Sequence, residues 1–489
     1  MTGGRAPVRH LQVVPRTPDG QVDLDRIVAA LGRVGTAATP GRVAPRVLES
    51  VQGVPATGRW SYVVAAARGR VQWWPGAGAT TTGALTEVPG LETTDPLAAL
   101  EAVCRYLSLS PHGEHDPDAP PFSGGLVGGF SYDLARTIET IPARAADDRA
   151  LPWLDLAVAD LVVAIDHDDQ RAVLVERPVG RRREDDEVAA VIDAIAAAPE
   201  LPRGGEPAPA AQVASTSLSR PRYLAAVRAI LGDIAAGDTF QVNLSQRLSA
   251  QWPHDVVDLY RALRRASPAP YGAIVPAGSH AVASISPETF LHIDHGTATV
   301  RPIKGTRPRH RDAEQDLALR DELAGSAKDR AENVMVVDME RNDLGRVCIP
   351  GSVTVPVLCS VEGHPTVWHL VSEVTGALEP GSGYADVLRA AFPCGSVTGT
   401  PKVKAMELIE RYEPVQRGWY CGALGFLADG AASLSVAIRT AVLSPEGRVD
   451  YGAGSGIVAD SDPDAEHDES LDKAAAFLQA VGATAPPPT

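Results

Sequence analysis

The stretch Arg301 to Arg309, R-P-I-K-G-T-R-P-R, holds one lysine between an apolar residue and a Gly-Thr turn. A lysine partly desolvated against such a turn sheds its proton readily and can act as a nucleophile. For Lys304 taken alone, a solvated charge in a basic loop is the plainer reading. Glu288 follows a strand-like run and a proline in S-I-S-P-E, where a side chain either projects into a cleft or sits at a loop tip. Asp329 and Glu332 stand three residues apart on one predicted helix; Glu466 and Glu469 repeat that spacing on another, with Lys473 one turn on. Residues so spaced share a helix face. Two such carboxylate pairs facing each other would suit Mg²⁺, a hard ion that takes oxygen ligands. Solvated helix charge, paired locally with Lys328, Arg330 and Lys473, explains the same spacing more simply.

Three further segments have two readings each. Phe392 to Ala405, F-P-C-G-S-V-T-G-T-P-K-V-K-A, runs into a predicted helix. Its N–H groups, with the hydroxyls of Ser396 and Thr398, make an anion site at a helix N-terminus or an ordinary cap. Asp450 to Asp460, D-Y-G-A-G-S-G-I-V-A-D, does not open a helix and so is no dinucleotide fingerprint. It reads as a glycine-rich turn that brings N–H groups to a carboxylate, or as a tight hairpin. His369, in the apolar run V-W-H-L-V-S, is a satisfied core histidine or the wall of a closed pocket. The run Ser123 to Gly129, S-G-G-L-V-G-G, reads only as a structural turn.

These groups need elements to hold them. Ser219 and Pro221 open a helix with an apolar stripe at Leu224, Val227, Ile230, Leu231 and Ile234, and Gly237 closes it. Strands are predicted at Trp60–Ala66, Leu161–Ile165, Phe240–Leu248, Ala281–Ile285, Thr297–Ile303, Val353–Leu358, Leu434–Val442 and Gly447–Tyr451. Helices are predicted at Pro96–Leu107, Asp312–Leu323, Ala327–Asp338, Ala385–Ala391, Lys402–Arg411 and Asp464–Val481. The order is no regular βαβ alternation, which predicts an α+β fold with antiparallel sheets. A Pro-, Ala-, Gly- and Ser-rich stretch, Ala196 to Ser219, parts an N-terminal region, 1–200, from a catalytic region, 215–485. Gly482 to Thr489 reads as a frayed tail.

Bulk properties exclude several classes. The 489 residues carry a formal net charge of −16, which argues against a nucleic-acid surface. Five scattered cysteines, none in C-x-x-C, argue against a disulfide framework or a zinc site. There is no leader and no apolar run of about 18 residues, so the expectation is a cytoplasmic protein away from the membrane.

In combination the segments resemble the chorismate-utilising enzymes, specifically the synthase component of aminodeoxychorismate synthase, a relative of the large subunit of anthranilate synthase. The strings are F-Q-V-N-L-S-Q-R (240–247), S-P-E (286–288), R-P-I-K-G-T-R-P-R, K-D-R-A-E-N (328–333), R-N-D-L-G-R-V (341–347), W-H-L-V-S (368–372), the 391–407 loop, A-I-R-T (437–440) and G-I-V-A-D-S-D-P (456–463). They run in family order across roughly 220–480; the N-terminal half matches more loosely, through V-L-E-S (47–50) and F-S-G-G-L-V-G-G-F-S-Y-D (122–133). The resemblance implies a large two-lobed assembly of layered antiparallel sheets covered by helices, shared by both halves. It implies Mg²⁺ on Glu332 and Glu469, assisted by Asp329 and Glu466. It implies chorismate binding by Gln241, Thr306, Ser396, Tyr420, Arg439, Gly454, Gly456 and Lys473, with His369 in the pocket. Relatives that add water carry a lysine base where this chain has Gln241, and an amide cannot serve as that base. Anthranilate-forming relatives commonly carry alanine where this chain has Lys304. The implied reaction is attack of Lys304 on C2 of chorismate, protonation of the departing C4 hydroxyl by Glu288, and addition of ammonia from a separate glutamine amidotransferase subunit. Anthranilate synthesis, or a chorismate- or tryptophan-binding regulatory subunit without turnover, stand as alternatives. Cys394 and Thr400 depart from the family pattern, and V-L-E-S resembles a string that forms an inhibitor site in anthranilate synthases.

Overall fold

The computed structural model describes residues 8–34, 45–50, 58–114, 119–180, 182–201, 211–365 and 367–487. Its frame is one sheet of 21 strands whose pairings are antiparallel. The strand Leu154–Asp166, L-D-L-A-V-A-D-L-V-V-A-I-D, is buried at every position. Such an apolar, β-branched run has no polar face to give to water and suits a strand covered on both sides. One edge pairs with Trp60–Trp74; the other is shared by Gly125–Phe130 and Arg171–Glu176. Its three aspartates are neutralised where they are buried. Arg70 Nε meets Asp155 at 2.6 Å, Arg183 Nε meets Asp160 at 2.7 Å, and Arg59 Nη2 meets Asp166 at 2.9 Å.

Strands from both ends of the chain interleave. Val47–Ser50 pairs with Tyr271–Ala277, and Gly125–Phe130 with Ala423–Leu427. Regions 1–200 and 215–485 therefore share the sheet. Residues 202–210 of the predicted linker lie outside the described residues. The expected frayed tail is pinned at its start, because Ala483–Thr484 pairs in parallel with Gln212–Val213.

The run Ser123 to Gly129 was expected to turn; instead Gly125–Phe130 is a wholly buried strand. A Cβ at Gly128, where φ is +152°, would lie 2.0 Å from the Asp155 carbonyl oxygen. Glycine is there for close approach of neighbouring strands.

In the second half, Gln241–Gln251 pairs with Arg448–Ile457 over ten residues, Val242 to Gln251 against Ile457 to Arg448. Helices Arg220–Ala235 and Pro463–Ala480 pack on this hairpin-like pair through Tyr223, Val227, Ile230 and Phe477. Ser219 stands at the N-cap of the first helix, and Gly237 lies just past its end at φ +82°. Two predicted strands are each broken in two. Leu434–Val442 becomes Ala431–Val436 and Thr440–Leu443, with Arg439 between them at φ +49°. Thr297–Ile303 stops at Arg301, before Pro302, and resumes as Ile303–Pro308. The α+β fold with a large antiparallel sheet is as expected. Among the described residues no helix is long and apolar enough to cross a membrane.

The Gly128→Ala change should destabilise the fold by about 1–3 kcal/mol from backbone strain alone. Urea unfolding measures it; a midpoint equal to that of the unmodified chain would contradict this account of the strand.

Candidate active site

Lys304 owes its orientation to a fault in the sheet. Ile303 faces Val371 and Thr306 faces His369, so the strand Ile303–Pro308 carries one more residue than its partner Val367–Ala377 across that interval. Gly305 takes φ +85°, and a Cβ there would press on Asp329 and Leu323 at 2.9 Å. A bulge of this kind re-aims a side chain out of the alternation. Lys304 Nζ donates to the Ser396 carbonyl at 3.1 Å. Burial is the largest influence on this amine and lowers its pKa; Glu332 and Glu288 pull it back up, and Lys473 adds to the lowering.

Glu288 is 4% exposed. Burial pushes its carboxyl pKa up, against the lowering effects of the Ser396 hydroxyl, Lys304 and the Ile303 N–H. Its Oε1 is buried without a hydrogen-bond partner. An amine pushed down and an acid pushed up, each within electrostatic reach of the other, are both displaced toward their uncharged forms.

The four carboxylates proposed from spacing do not stand alike. Helix Ala327–Gly345 starts at Ser326, whose hydroxyl accepts from the Asp329 N–H at 3.3 Å. The Asp329 carboxylate is taken by Arg307 Nη2 at 3.0 Å. Glu332 lies 4.0 Å from Lys328 Nζ. Burial raises its pKa, Lys304 and Lys328 lower it, and Asp329 and Glu469 raise it further. On helix Pro463–Ala480, Glu469 is half exposed and pairs with Lys473 Nζ at 2.7 Å. Glu466 is buried; Oε1 accepts from the Ser461 hydroxyl at 2.5 Å, and Oε2 has no partner. Among the described residues no group of three or more His, Cys, Asp or Glu side chains stands ready to hold a metal ion. Glu332 and Glu469 nevertheless repel each other, and both offer hard oxygen donors. That fits an ion such as Mg²⁺, which uses one or two carboxylates and completes its shell with water and substrate oxygens.

Arg439, in its strand break, donates from Nη1 to the Ser267 hydroxyl at 3.2 Å. With Glu469, Lys473, Ile285 and Tyr451 it lines a cavity of ≈ 240 Å³. A larger cavity of ≈ 1070 Å³, between Val28, Trp252 and Leu443, contains none of the residues singled out from the sequence. Lys473 Nζ also donates to the Gly454 carbonyl at 3.0 Å. Gly454 and Gly456 do not form the expected turn or hairpin; both lie inside the strand Arg448–Ile457. A Cβ at Gly456 would sit 2.4 Å from Gln241 Nε2, and one at Gly454 would sit 2.3 Å from the Leu244 carbonyl and 2.5 Å from Ser245 Oγ. The glycines make room for buried Gln241 and Ser245. Tyr420 belongs to a different, narrow cleft with Ser245 and Arg417, and its hydroxyl meets Ser245 Oγ at 3.3 Å.

His369 Nδ1 is 2.9 Å from the Thr306 hydroxyl, and its ring lies 5.0 Å from that of His364. Burial first, then His364 and Arg439, push its pKa down to about 3.

The Phe392 to Ala405 loop is not an open anion site. The Gly395 N–H donates to Glu340 Oε1 at 3.1 Å, and the Thr398 hydroxyl turns back to the Cys394 and Gly395 carbonyls at 3.2 and 3.1 Å. These donors are taken up within the fold. Sequence reasoning missed Glu340, whose i, i+3 spacing to Asp343 matches the two carboxylate pairs it did single out, and Arg417.

A family model described as chorismate binding enzyme matches residues 66–479. The chain is 38% identical over 500 residues to an anthranilate synthase component 1 of Mycobacterium tuberculosis, covering 96% of this chain and 93% of that one. It is 40% identical over 384 residues to an aminodeoxychorismate synthase component 1 of Salmonella typhimurium, covering 78% and 81%. The crystal structure of anthranilate synthase component I from Streptococcus pneumoniae superposes with a TM-score of 0.74 at 28% identity, covering 88% and 93%.

His369 should remain neutral across the physiological range. Its folded-state pKa lies below the ordinary value of about 6.5, so its contribution to stability is present above that pH and is lost as pH falls below it. NMR of the ring protons, assigned against His369→Asn, should show no titration between pH 5 and pH 8; a midpoint near 6.5 would mean the ring is solvated.

Proposed function

The chain belongs to the chorismate-binding enzyme family, and on that premise we propose that it aminates chorismate to 4-amino-4-deoxychorismate. The observation that carries this reading is Lys304, thrust from a strand bulge beside buried Glu288, with both pKa values displaced toward the neutral forms. The neutral amine attacks C2. The C1–C2 and C5–C6 double bonds shift to C1–C6 and C4–C5, and the C4–O bond breaks as Glu288 gives its proton to the leaving hydroxyl. Ammonia then adds at C4, the double bonds return, and Lys304 leaves from C2 with the enolpyruvyl ether intact.

The other groups serve binding. Arg439 and Lys473 supply positive charge at the cavity that Glu469 also lines. Thr306 holds His369 by its ring nitrogen, and the Ser396 carbonyl holds the Lys304 amine. A Mg²⁺ ion on Glu332 and Glu469 would neutralise the ring carboxylate of the substrate and charge developing as the hydroxyl departs. Asp329, held by Arg307, and Glu466, held by Ser461, stand behind that pair. Gln241 offers no base to activate water, which disfavours hydroxylation in place of amination. Ammonia comes from a glutamine amidotransferase partner, a reading supported by the similarity to enzymes named as component 1.

Anthranilate synthesis is the second reading, favoured by identity over nearly the whole length to an enzyme of that name. Product analysis separates the two. Purified chain with chorismate, Mg²⁺ and ammonium should give a product that becomes 4-aminobenzoate only after a lyase is added; fluorescent anthranilate without lyase would overturn the assignment. Lys304→Ala should lower formation of the aminated product by at least about 10²-fold, and Glu288→Gln by about 10²- to 10⁴-fold, with the alkaline limb of the pH–rate profile gone in the latter. Unchanged rates for Lys304→Ala with free ammonium would remove the nucleophile from the mechanism.

A further inference from the structure

Ser396 bears on both members of the reacting pair. Its carbonyl accepts from Lys304 Nζ at 3.1 Å, and its hydroxyl, 3.2 Å from Cys394 Sγ, is near enough to the Glu288 carboxyl to lower its pKa. It sits in the middle of the short turn Gly395–Val397, which has too few residues to fix its own orientation. The residues on either side are gripped by buried polar side chains. Before it, the Gly395 N–H donates to Glu340 Oε1 at 3.1 Å. After it, the Val397 carbonyl accepts from Arg417 Nη1 at 2.8 Å. Glu340 is 1% exposed and Arg417 5% exposed.

Each grip is itself braced. A Cβ at Gly395 would fall 2.3 Å from Met339 Cε and 3.0 Å from Glu340 Oε1, so the turn lies directly on helix Ala327–Gly345. One turn further along that helix, Asp343 pairs with Lys402 Nζ at 2.5 Å, and Lys402 reaches the Ala391 carbonyl at 3.0 Å. The same helix thus ties the loop near both ends. On the other side, Glu413 takes Arg417 Nε at 2.9 Å and Nη2 at 2.6 Å, while Nη2 also donates to the Asn243 carbonyl at 2.7 Å. Hydrogen bonds from ionised groups to backbone are among the strongest a protein makes, and removal from water strengthens them.

We propose that Glu340 and Arg417 are positioning residues that fix Ser396 between them and, through it, set the relative placement of Lys304 and Glu288. This rests on the roles proposed above for those two side chains. Neither positioning residue need touch the substrate. Displacing a reacting group by about an ångström costs on the order of 10²-fold in rate, which is the scale on which such residues act.

Glu340 gives the cleaner test. Glu340→Gln keeps an oxygen to accept from Gly395, whereas Glu340→Ala removes it. With the full chain, chorismate, Mg²⁺ and ammonium, kcat for chorismate consumption should fall about 10- to 100-fold in Glu340→Ala with KM within about twofold, and Glu340→Gln should recover to within about threefold of the unmodified chain. In a Lys304→Ala background the Glu340→Ala effect should shrink several-fold, as two changes acting through one contact are not additive. Circular dichroism and thermal melting confirm folding, and Glu340→Leu replaces the alanine variant should the latter not fold. Equal kcat in Glu340→Ala and the unmodified chain, or full additivity with Lys304→Ala, overturns the positioning role. A chain that folds with neither substitution marks Glu340 as a scaffold residue and overturns it too. Because consumption is read whatever the product, an unmodified chain that makes anthranilate overturns the proposed function while the positioning role is still decided by these ratios; one that consumes no chorismate overturns both.

Discussion

Glu288 is buried and Lys304 half-buried, and desolvation acts on them in opposite directions. It lowers the lysine and raises the carboxyl, while their mutual attraction works against both shifts. If attraction prevailed, the pair would be an ion pair and the amine would have no free electron pair. If burial prevailed without any partner, an isolated charge would be prohibitive whenever either group ionised. Neighbours of both signs act on the two. Glu332 favours the charged amine; Lys473 opposes it and favours the charged carboxyl.

Holding such a pair takes rigid elements on every side. Lys304 comes from an interrupted edge of the sheet, Glu288 from the end of the strand His280–Ser286, and Ser396 from a turn laid on helix Ala327–Gly345. Three separate irregularities deliver polar groups inward: the bulge at Lys304, the strand break at Arg439 and the Gly395–Val397 turn. Regular strands alternate their side chains and cannot aim three groups at one point. The sheet supplies stiffness, and its faults supply direction.

That division explains what the sequence disclosed. Regular elements were legible: the stripe Leu224, Val227 and Ile230 is the buried face of helix Arg220–Ala235, and the helix from Ala327 starts where expected but runs on to Gly345. Pro302 and Gly305 mark the break before Lys304, but no residue marks the one at Arg439, where a non-glycine is forced to φ +49° by its surroundings. Glycines misled in both directions. Clusters at 123–129 and 452–456 signal turns by composition, yet in the fold they are strands pressed close to neighbouring backbone, as Gly128 is to Asp155 and Gly454 to Leu244. Only tertiary context separates a glycine needed for its φ from one needed for its missing Cβ. The loop at 392–405 misled for a related reason: its donors look free until Glu340, some 55 residues earlier, is seen to take one of them.

Similarity over the whole chain cannot choose between the two aminations. Binding chorismate is the same task for either product, so most residues that relatives share bear on that task. Identities of 38% to one kind of synthase and 40% to the other follow from it. The regiochemical choice rests instead on whether an amine is attached to the wall within reach of C2. In the proposed reaction Lys304 occupies C2 while the C4 hydroxyl leaves, and incoming ammonia is directed to C4. With a small side chain there, C2 lies open to ammonia itself, and the adduct can go on to lose its enolpyruvyl group as pyruvate and become aromatic. On that proposal one side chain decides whether the ether bond survives, and its placement depends on the turn at Ser396 and on the buried side chains that hold that turn.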